Sequence, residues 1–292
     1  MDPRAHLFYL IFSGLLGACI GSFLNVVIWR LPRDMSLVKP GSHCPSCNTP
    51  IRWFDNIPLI SFVLLNGKCR ACKAGISLRY PMVEFITGLL FVLFYAIDIM
   101  GLWNPGVQND VVALFVHWGF AAAIMAVTFV DFDLRIIPDE LSLGGAIAAL
   151  AVSCVFPGKF MPLLGFAQDW KGLNAVIGGG LSSLAGGLAG AFLTWVVGWL
   201  GEKAFRKEAM GFGDVKLMLF FGCLLGWKAA IVIFFIAPFF GLLIAIPHKL
   251  INKDSYIAYG PFLSMAAMAW VLFRPFFERI IWPLFAPYGG VS

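Results

Sequence analysis

Long apolar runs separated by short polar connections set the pattern of this chain. Such runs lie near 7–29, 81–103, 110–130, 142–164, 173–200, 214–227, 229–248 and 259–274. About 20 consecutive apolar residues are needed to cross a bilayer core as a helix. The pattern therefore predicts an all-α polytopic membrane protein with about eight transmembrane helices. A β-barrel is disfavoured, because its strands alternate apolar and polar positions rather than running continuously apolar. The sixth run is short. Beyond the last one, Phe276 to Pro283 carries aromatics and Arg279, which suits a helix at the membrane interface. The first run has one Arg ahead of its apolar core and no small-x-small cleavage site, so it reads as a retained span rather than a signal peptide. Three segments result: a first transmembrane helix over 1–29, a hydrophilic loop domain over 30–80, and a transmembrane core over 81–292.

Composition agrees with this class. Of 292 residues, 60% are hydrophobic and 13% charged, where a soluble domain is roughly half apolar and a quarter charged. The net charge of +5 is small and unevenly spread. It reports topology, not nucleic-acid binding. Arg30, Arg33, Lys39, Arg52, Lys68, Arg70, Lys73 and Arg79 crowd the 30–80 loop. Lys203, Arg206, Lys207 and Lys216 form a second cluster, and Lys249 and Lys253 a third. If loops alternate sides across eight spans, these clusters and Arg135 share one face, which then holds most of the 21 Lys and Arg residues. The positive-inside tendency makes that face cytoplasmic.

The loop contains CPSC at 44–47 and CRAC at 69–72. Two tight turns presenting Cys44, Cys47, Cys69 and Cys72 suit one tetrahedral zinc ion. Disulfides are the alternative, but thiols stay reduced in the cytoplasm. Four thiolates leave no open coordination position, so the ion is expected to be structural, folding a loop too small to build its own core. Cys19, Cys154 and Cys223 fall within apolar runs and read as packing residues.

Two carboxylates stand where an apolar run meets the cytoplasmic surface. Asp131 ends the third run, in VDFDLRIIPDEL, and Asp214 opens the sixth, in GFGDVKL. An ionisable group at such a position is costly and marks a functional site. Two carboxylates at one depth also suit acid/base hydrolysis. Pro138 ends helical geometry at Ile137 and begins a new helix, with Asp139 and Glu140 in its first turn as capping residues. Asp133 pairs with Arg135 or faces water. An Asp at a helix start is often only a cap, so Asp214 alone does not establish catalysis. Lys216 is able to tune a carboxylate or meet lipid headgroups. In the fifth run Gly179 and Ser183, then Gly186 and Gly190, recur at four-residue spacing, which reads as a close helix-packing face.

Several motifs in order give the chain a specific resemblance. They are GSFLNVVIWRLP at 21–32, HCPSC, WFDNIPLISFVLLNGKCRAC at 53–72, ISLRYPMVEF at 76–85, DFDLRIIPDEL, MGFGDVKL at 210–217 and YGPFLS at 259–264. Together they resemble the type IV prepilin peptidase / N-methyltransferase family, aspartic proteases of the GxGD class, over nearly the whole chain. The resemblance implies a multi-pass enzyme of the bacterial inner membrane. Such an enzyme cleaves the basic leader of prepilins or pseudopilins on the cytoplasmic side and methylates the new N-terminus with S-adenosylmethionine. It implies Asp131 and Asp214 as the catalytic pair and the four cysteines as the metal site. Gly67, before the second CxxC, is implied in methyl transfer. Ala209 departs from the family's pattern, where glycine is expected.

No Rossmann-type glycine loop is present for the methyl donor. Asn25, Arg30, Asn56, Arg79 and Glu84 at the loop–membrane junction are candidates, each equally readable as a structural cap or a snorkelling anchor. An ion-coupled transporter also uses intramembrane acids, but its sites lie near the midplane. A zinc-bearing scaffold accounts for the cysteines and leaves Asp131 and GFGD unexplained. Membrane lipids are expected partners, nucleic acid is not, and the sequence assigns no oligomeric state.

Overall fold

The computed structural model describes residues 3–103, 109–206, 210–251 and 258–285. Lys207, Ala209 and Lys253, singled out above, lie outside the described residues. Among the described residues the regular structure is helical, with two isolated β-bridges and no strand. The α-helices are α1 (Pro3–Arg30), α2 (Ile60–Leu64), α3 (Arg79–Asp98), α4 (Val111–Leu134), α5 (Asp139–Val155), α6 (Leu173–Phe205), α7 (Phe212–Leu225), α8 (Trp227–Ile251), α9 (Gly260–Leu272) and α10 (Arg274–Phe285).

Each of the eight apolar runs contains a helix, but not every helix is long enough to span. Among the described residues four are long and apolar enough to cross a membrane, or up to five if α9 and α10, bent by 87°, form one broken span. The helices α5, α7 and α9 have 17, 14 and 13 residues, short of the roughly 20 a straight span needs. Backbone breakers explain the shortening. The run over 142–164 stops as a helix at Val155, just before Pro157 and Gly158 (φ 75°), and α7 stops at Gly226 (φ 87°). The run over 81–103 likewise ends as a helix at Asp98, before Gly101 (φ 71°). Exposed apolar faces fit contact with lipid: Leu7, Phe8, Ile11, Phe12 and Leu15 of α1 are all at least 50% exposed. The chain is a multi-pass helical membrane protein.

The chain divides into two compact units, Met1–Ala126 and Val127–Ser292. In the first, α1 and α3 approach closely along Gly17, Gly21 and Gly88. A Cβ on Gly17 would lie 2.8 Å from the Gly88 Cα. Asn25 Nδ2 donates to the Tyr80 carbonyl (3.2 Å) and Trp118 Nε1 to the Phe91 carbonyl (3.0 Å).

In the second unit the small-residue face of α6 does what its spacing predicts. A Cβ on Gly186 would strike the Gly222 carbonyl oxygen, one on Gly190 would lie 2.7 Å from the Met218 carbonyl oxygen, and one on Gly179 would strike the Ser153 carbonyl. Ser183 Oγ donates to the Cys223 carbonyl at 2.8 Å. Helix α6 is thus pressed backbone to backbone against α7 and α5, the geometry that small residues permit in lipid. This packing fixes the helix that bears Asp214.

Candidate active site and metal centre

Asp131 sits on the last turn of α4. The helix ends three residues later at Leu134, and the next residue, Arg135, adopts φ 58° with its N–H on the Asp131 carbonyl at 2.9 Å. Pro138 then restarts the chain as α5, its carbonyl accepting from Leu141 N, Ser142 N and Ser142 Oγ. The break falls where Pro138 predicts it. Asp139 and Glu140 stand in the first turn of α5, but no side chain caps that helix. The Asp139 carboxylate instead accepts from Lys216 Nζ at 2.6 Å, fastening the start of α5 to the first turn of α7.

Asp214 is not the N-cap of α7. That position belongs to Gly211 in extended conformation (φ −74°, ψ 150°), and Asp214 is in the first turn. Its carboxylate lies close to Gly211: a Cβ there would be 3.8 Å from Asp214 Oδ2. Asp131 likewise lies against Gly260, at the start of α9. Both aspartates are buried, at 5% and 7% exposed, and each lies within the other's electrostatic reach.

Glycine makes this closeness possible. A Cβ on Gly213 would lie 3.2 Å from Ile137, and one on Gly260 would lie 2.5 Å from Asp131 Oδ2 and 3.1 Å from Ile137 Cδ1. Ile137, in the α4–α5 connection, therefore wedges between the two glycines beside the carboxylates. Tyr259 stands within the field of Asp214 and donates its hydroxyl to the Phe234 carbonyl at 3.3 Å. Sequence reasoning assigned no role to Gly260, Tyr259 or Ile137. The available signal was the Tyr-Gly-Pro opening of the last apolar run, with a glycine at a helix start as before Asp214.

The four cysteines converge. Their Sγ atoms all lie within 4.8 Å of one another, with Cys44 and Cys72 at 3.9 Å. Sulfurs about 2.3 Å from one ion, placed tetrahedrally, sit about 3.8 Å apart. The cluster fits a zinc ion, and no cysteine among the described residues is in a disulfide.

Two matching turns build it. Asn48 N bonds the Cys44 carbonyl (2.8 Å) and Lys73 N the Cys69 carbonyl (3.0 Å). Asn48 and Lys73 both turn left-handed, at φ 55° and 59°. Each turn is closed by a bridge, His43 with Pro50 and Lys68 with Gly75. The Thr49 hydroxyl and backbone lower the Cys47 thiol to about 6. Cys72 is drawn down by the Ala74 N–H, but its cysteine neighbours, Cys47 first, outweigh that and push it up to about 11. Packed thiols resist shedding every proton, and a dication removes that conflict. Arg70 forks onto Asp55 at 2.6–3.0 Å, tying the second turn to the 53–55 segment and holding the Asp55 carboxyl below its usual range.

Gly67 and Glu84 lie in the same unit but do different things. Gly67 adopts φ 65°, with its N–H on the Phe62 carbonyl (2.9 Å) and its carbonyl accepting from Ile76 N (2.7 Å). It is the turn between α2 and the second cysteine pair. Glu84, on α3, accepts from the Leu59 N–H at 2.8 Å and meets the Ser22 hydroxyl.

Two family profiles match: residues 15–97 match the bacterial peptidase A24 N-terminal domain, and residues 118–246 the type IV leader peptidase family. A protein of Neisseria gonorrhoeae named prepilin leader peptidase/N-methyltransferase is 31% identical over 89% of this chain and 88% of its own length. Proteins of the same name from Aeromonas hydrophila (33% identical, 88% and 89%) and Pseudomonas aeruginosa (34% identical, 88% and 88%) are similar to it. No solved structure matches.

Proposed function

Because the chain belongs to the type IV leader peptidase family, we propose that it removes the basic leader of prepilins or pseudopilins and N-methylates the exposed terminus. Both reactions take place at the cytoplasmic face of the bacterial inner membrane. One observation supports this above the others: two buried aspartates within electrostatic reach, each lying against a glycine at a helix start. Like charges held close favour sharing one proton. The ionised member takes a proton from water, and the protonated member polarises the scissile carbonyl. No covalent intermediate is needed. Asp131 and Asp214 fill these roles, and Lys216 with Asp139 ties the helix of Asp214 to the start of α5, just past the break that follows Asp131.

The eight apolar runs act as eight spans, with α5, α7 and α9 as short ones. Zinc on the four cysteines is structural. S-adenosylmethionine would supply the methyl group: the new α-amine would take it on its nitrogen lone pair and lose a proton, while the donor's S–CH3 bond breaks and S-adenosylhomocysteine leaves. Gly67 and Glu84 belong to the methyl-transfer half. An ion-coupled transporter is not favoured, since both aspartates lie at a helix end beside a chain break, away from any span's middle.

The test is incubation with a prepilin-like peptide, followed by mass spectrometry. Leader removal is expected without S-adenosylmethionine, and a product one methyl group heavier only with it. An intact peptide under both conditions would refute the assignment.

A further inference from the structure

A cavity of about 390 Å³ opens within the first unit, between the last turns of α1 and the polar loop. Ser22, Phe23, Val26 and Arg30 of α1 line one side, and the loop's 37–42 segment with Asn56 and Pro58 the other. The volume is in the range of small-ligand sites, about 300–1,000 Å³.

Arg30 makes the cavity more than a crevice. It is 6% exposed, and its guanidinium donates only to neutral carbonyls, those of Ser36 (3.0 Å) and Gly41 (3.5 Å). Among the described residues no carboxylate pairs with it. A buried charge without a counter-ion is costly. A guanidinium has five N–H donors in a planar fork, so donors remain for an anion entering the cavity. No acidic residue lines the wall. The complementary ligand carries a carboxylate and enough apolar or flat surface for Phe23, Val26 and Leu37.

We propose that this cavity receives the methyl donor, S-adenosylmethionine, with Arg30 anchoring its carboxylate. The proposal rests on the methyl-transfer half of the function given above. The donor combines an amino-acid carboxylate, a sulfonium and an adenine. Phe23 offers a ring face to a flat base or a cation, and Asn56 offers both donor and acceptor to a base edge. Glu84 stands behind the site and fastens both walls: it meets Ser22 on α1 and holds Leu59, next to Pro58, on the loop. Gly67 is not among the lining residues.

The experiment is calorimetric binding of S-adenosylhomocysteine to the full-length, zinc-loaded protein in nanodiscs of neutral lipid. This probe keeps the carboxylate and adenine. Two variants separate volume from charge. Val26→Trp fills the cavity without touching the loop's hydrogen bonds, and Arg30→Gln keeps a donor for the Ser36 carbonyl but removes the charge. Unchanged zinc content and melting temperature certify folding. At least about tenfold weaker binding is expected for each, the scale on which losing one charged hydrogen-bonded partner acts.

Wild-type affinity in Val26→Trp would overturn the location. Wild-type affinity in Arg30→Gln alone would overturn the anchor. A wild-type protein that binds no S-adenosylhomocysteine would overturn the methyl-transfer reading along with the site. Displacement of the probe by anionic phospholipid, but not by methionine or adenosine, would make this a lipid headgroup site and overturn the proposal.

Discussion

Replacing Gly260 by alanine tests the anchoring of Asp131 most directly. Gly260 is not among the positive-φ glycines, so the backbone accepts alanine. The added methyl would sit 2.5 Å from Asp131 Oδ2, where ordinary contact begins near 3.4 Å, so one partner retreats by about 0.9 Å. A carboxylate displaced that far loses the favourable approach of the Gly260 N–H. A hydrogen bond to a charged group is worth about 1.5–3 kcal/mol. At about 1.36 kcal/mol per tenfold in rate, kcat should fall roughly tenfold to a hundredfold. Misplacing a reacting group by about 1 Å has a similar effect. The assay is steady-state leader cleavage on a prepilin-like peptide, with kcat and KM resolved. KM should change little, because the substitution moves a reacting group rather than adding or removing one. Gly144→Ala is the control, since a Cβ there would meet no atom within 4 Å. A folded Gly260→Ala protein with kcat within about twofold of wild type would show that this contact does not position the aspartate.

Asp131→Asn and Asp214→Asn should each lower cleavage by several orders of magnitude in protein that still inserts; more than a few per cent of wild-type turnover in either would break the pair apart. Elemental analysis should find one zinc per chain, and Cys69→Ser should reduce it and loosen the loop to proteolysis. Gly186→Ala drives a methyl into the Gly222 carbonyl and should destabilise the α6–α7 contact by about 1–3 kcal/mol, read as a lowered melting temperature. Gly67→Val forces a β-branched residue into φ 65° and against Phe62. It should yield cleaved but unmethylated product, whereas equal loss of both activities would leave Gly67 a purely structural turn.

Membrane class, helix positions and the four-cysteine cluster were legible in the sequence because each depends on local pattern. Apolar run length reports helices that must bury their backbone in lipid. Pro138 marks its own break, and paired CxxC turns bring their thiols together through bonds within a few residues. Four-residue spacing of small side chains likewise announced the α6 face before its partners were known. Helix lengths were less legible: continued hydrophobicity masked the stops at Val155 and Asp98, where the backbone turns and not the polarity decides.

The candidate active site lay further from the sequence. Asp131 and Asp214 stood out as acids in apolar surroundings, but neither spacing nor composition says that a third segment, at Gly260, lies against one of them. Nor do they say that Lys216 binds Asp139. Those contacts join residues far apart in the chain, so tertiary packing alone creates them. The same holds for Arg30, one cation among many in a basic loop until folding buries it beside a cavity with no carboxylate. Sequence determines which groups are present and which local turns they make. Only the packed helices decide which backbone N–H meets which carboxylate, and which charge is left without a partner.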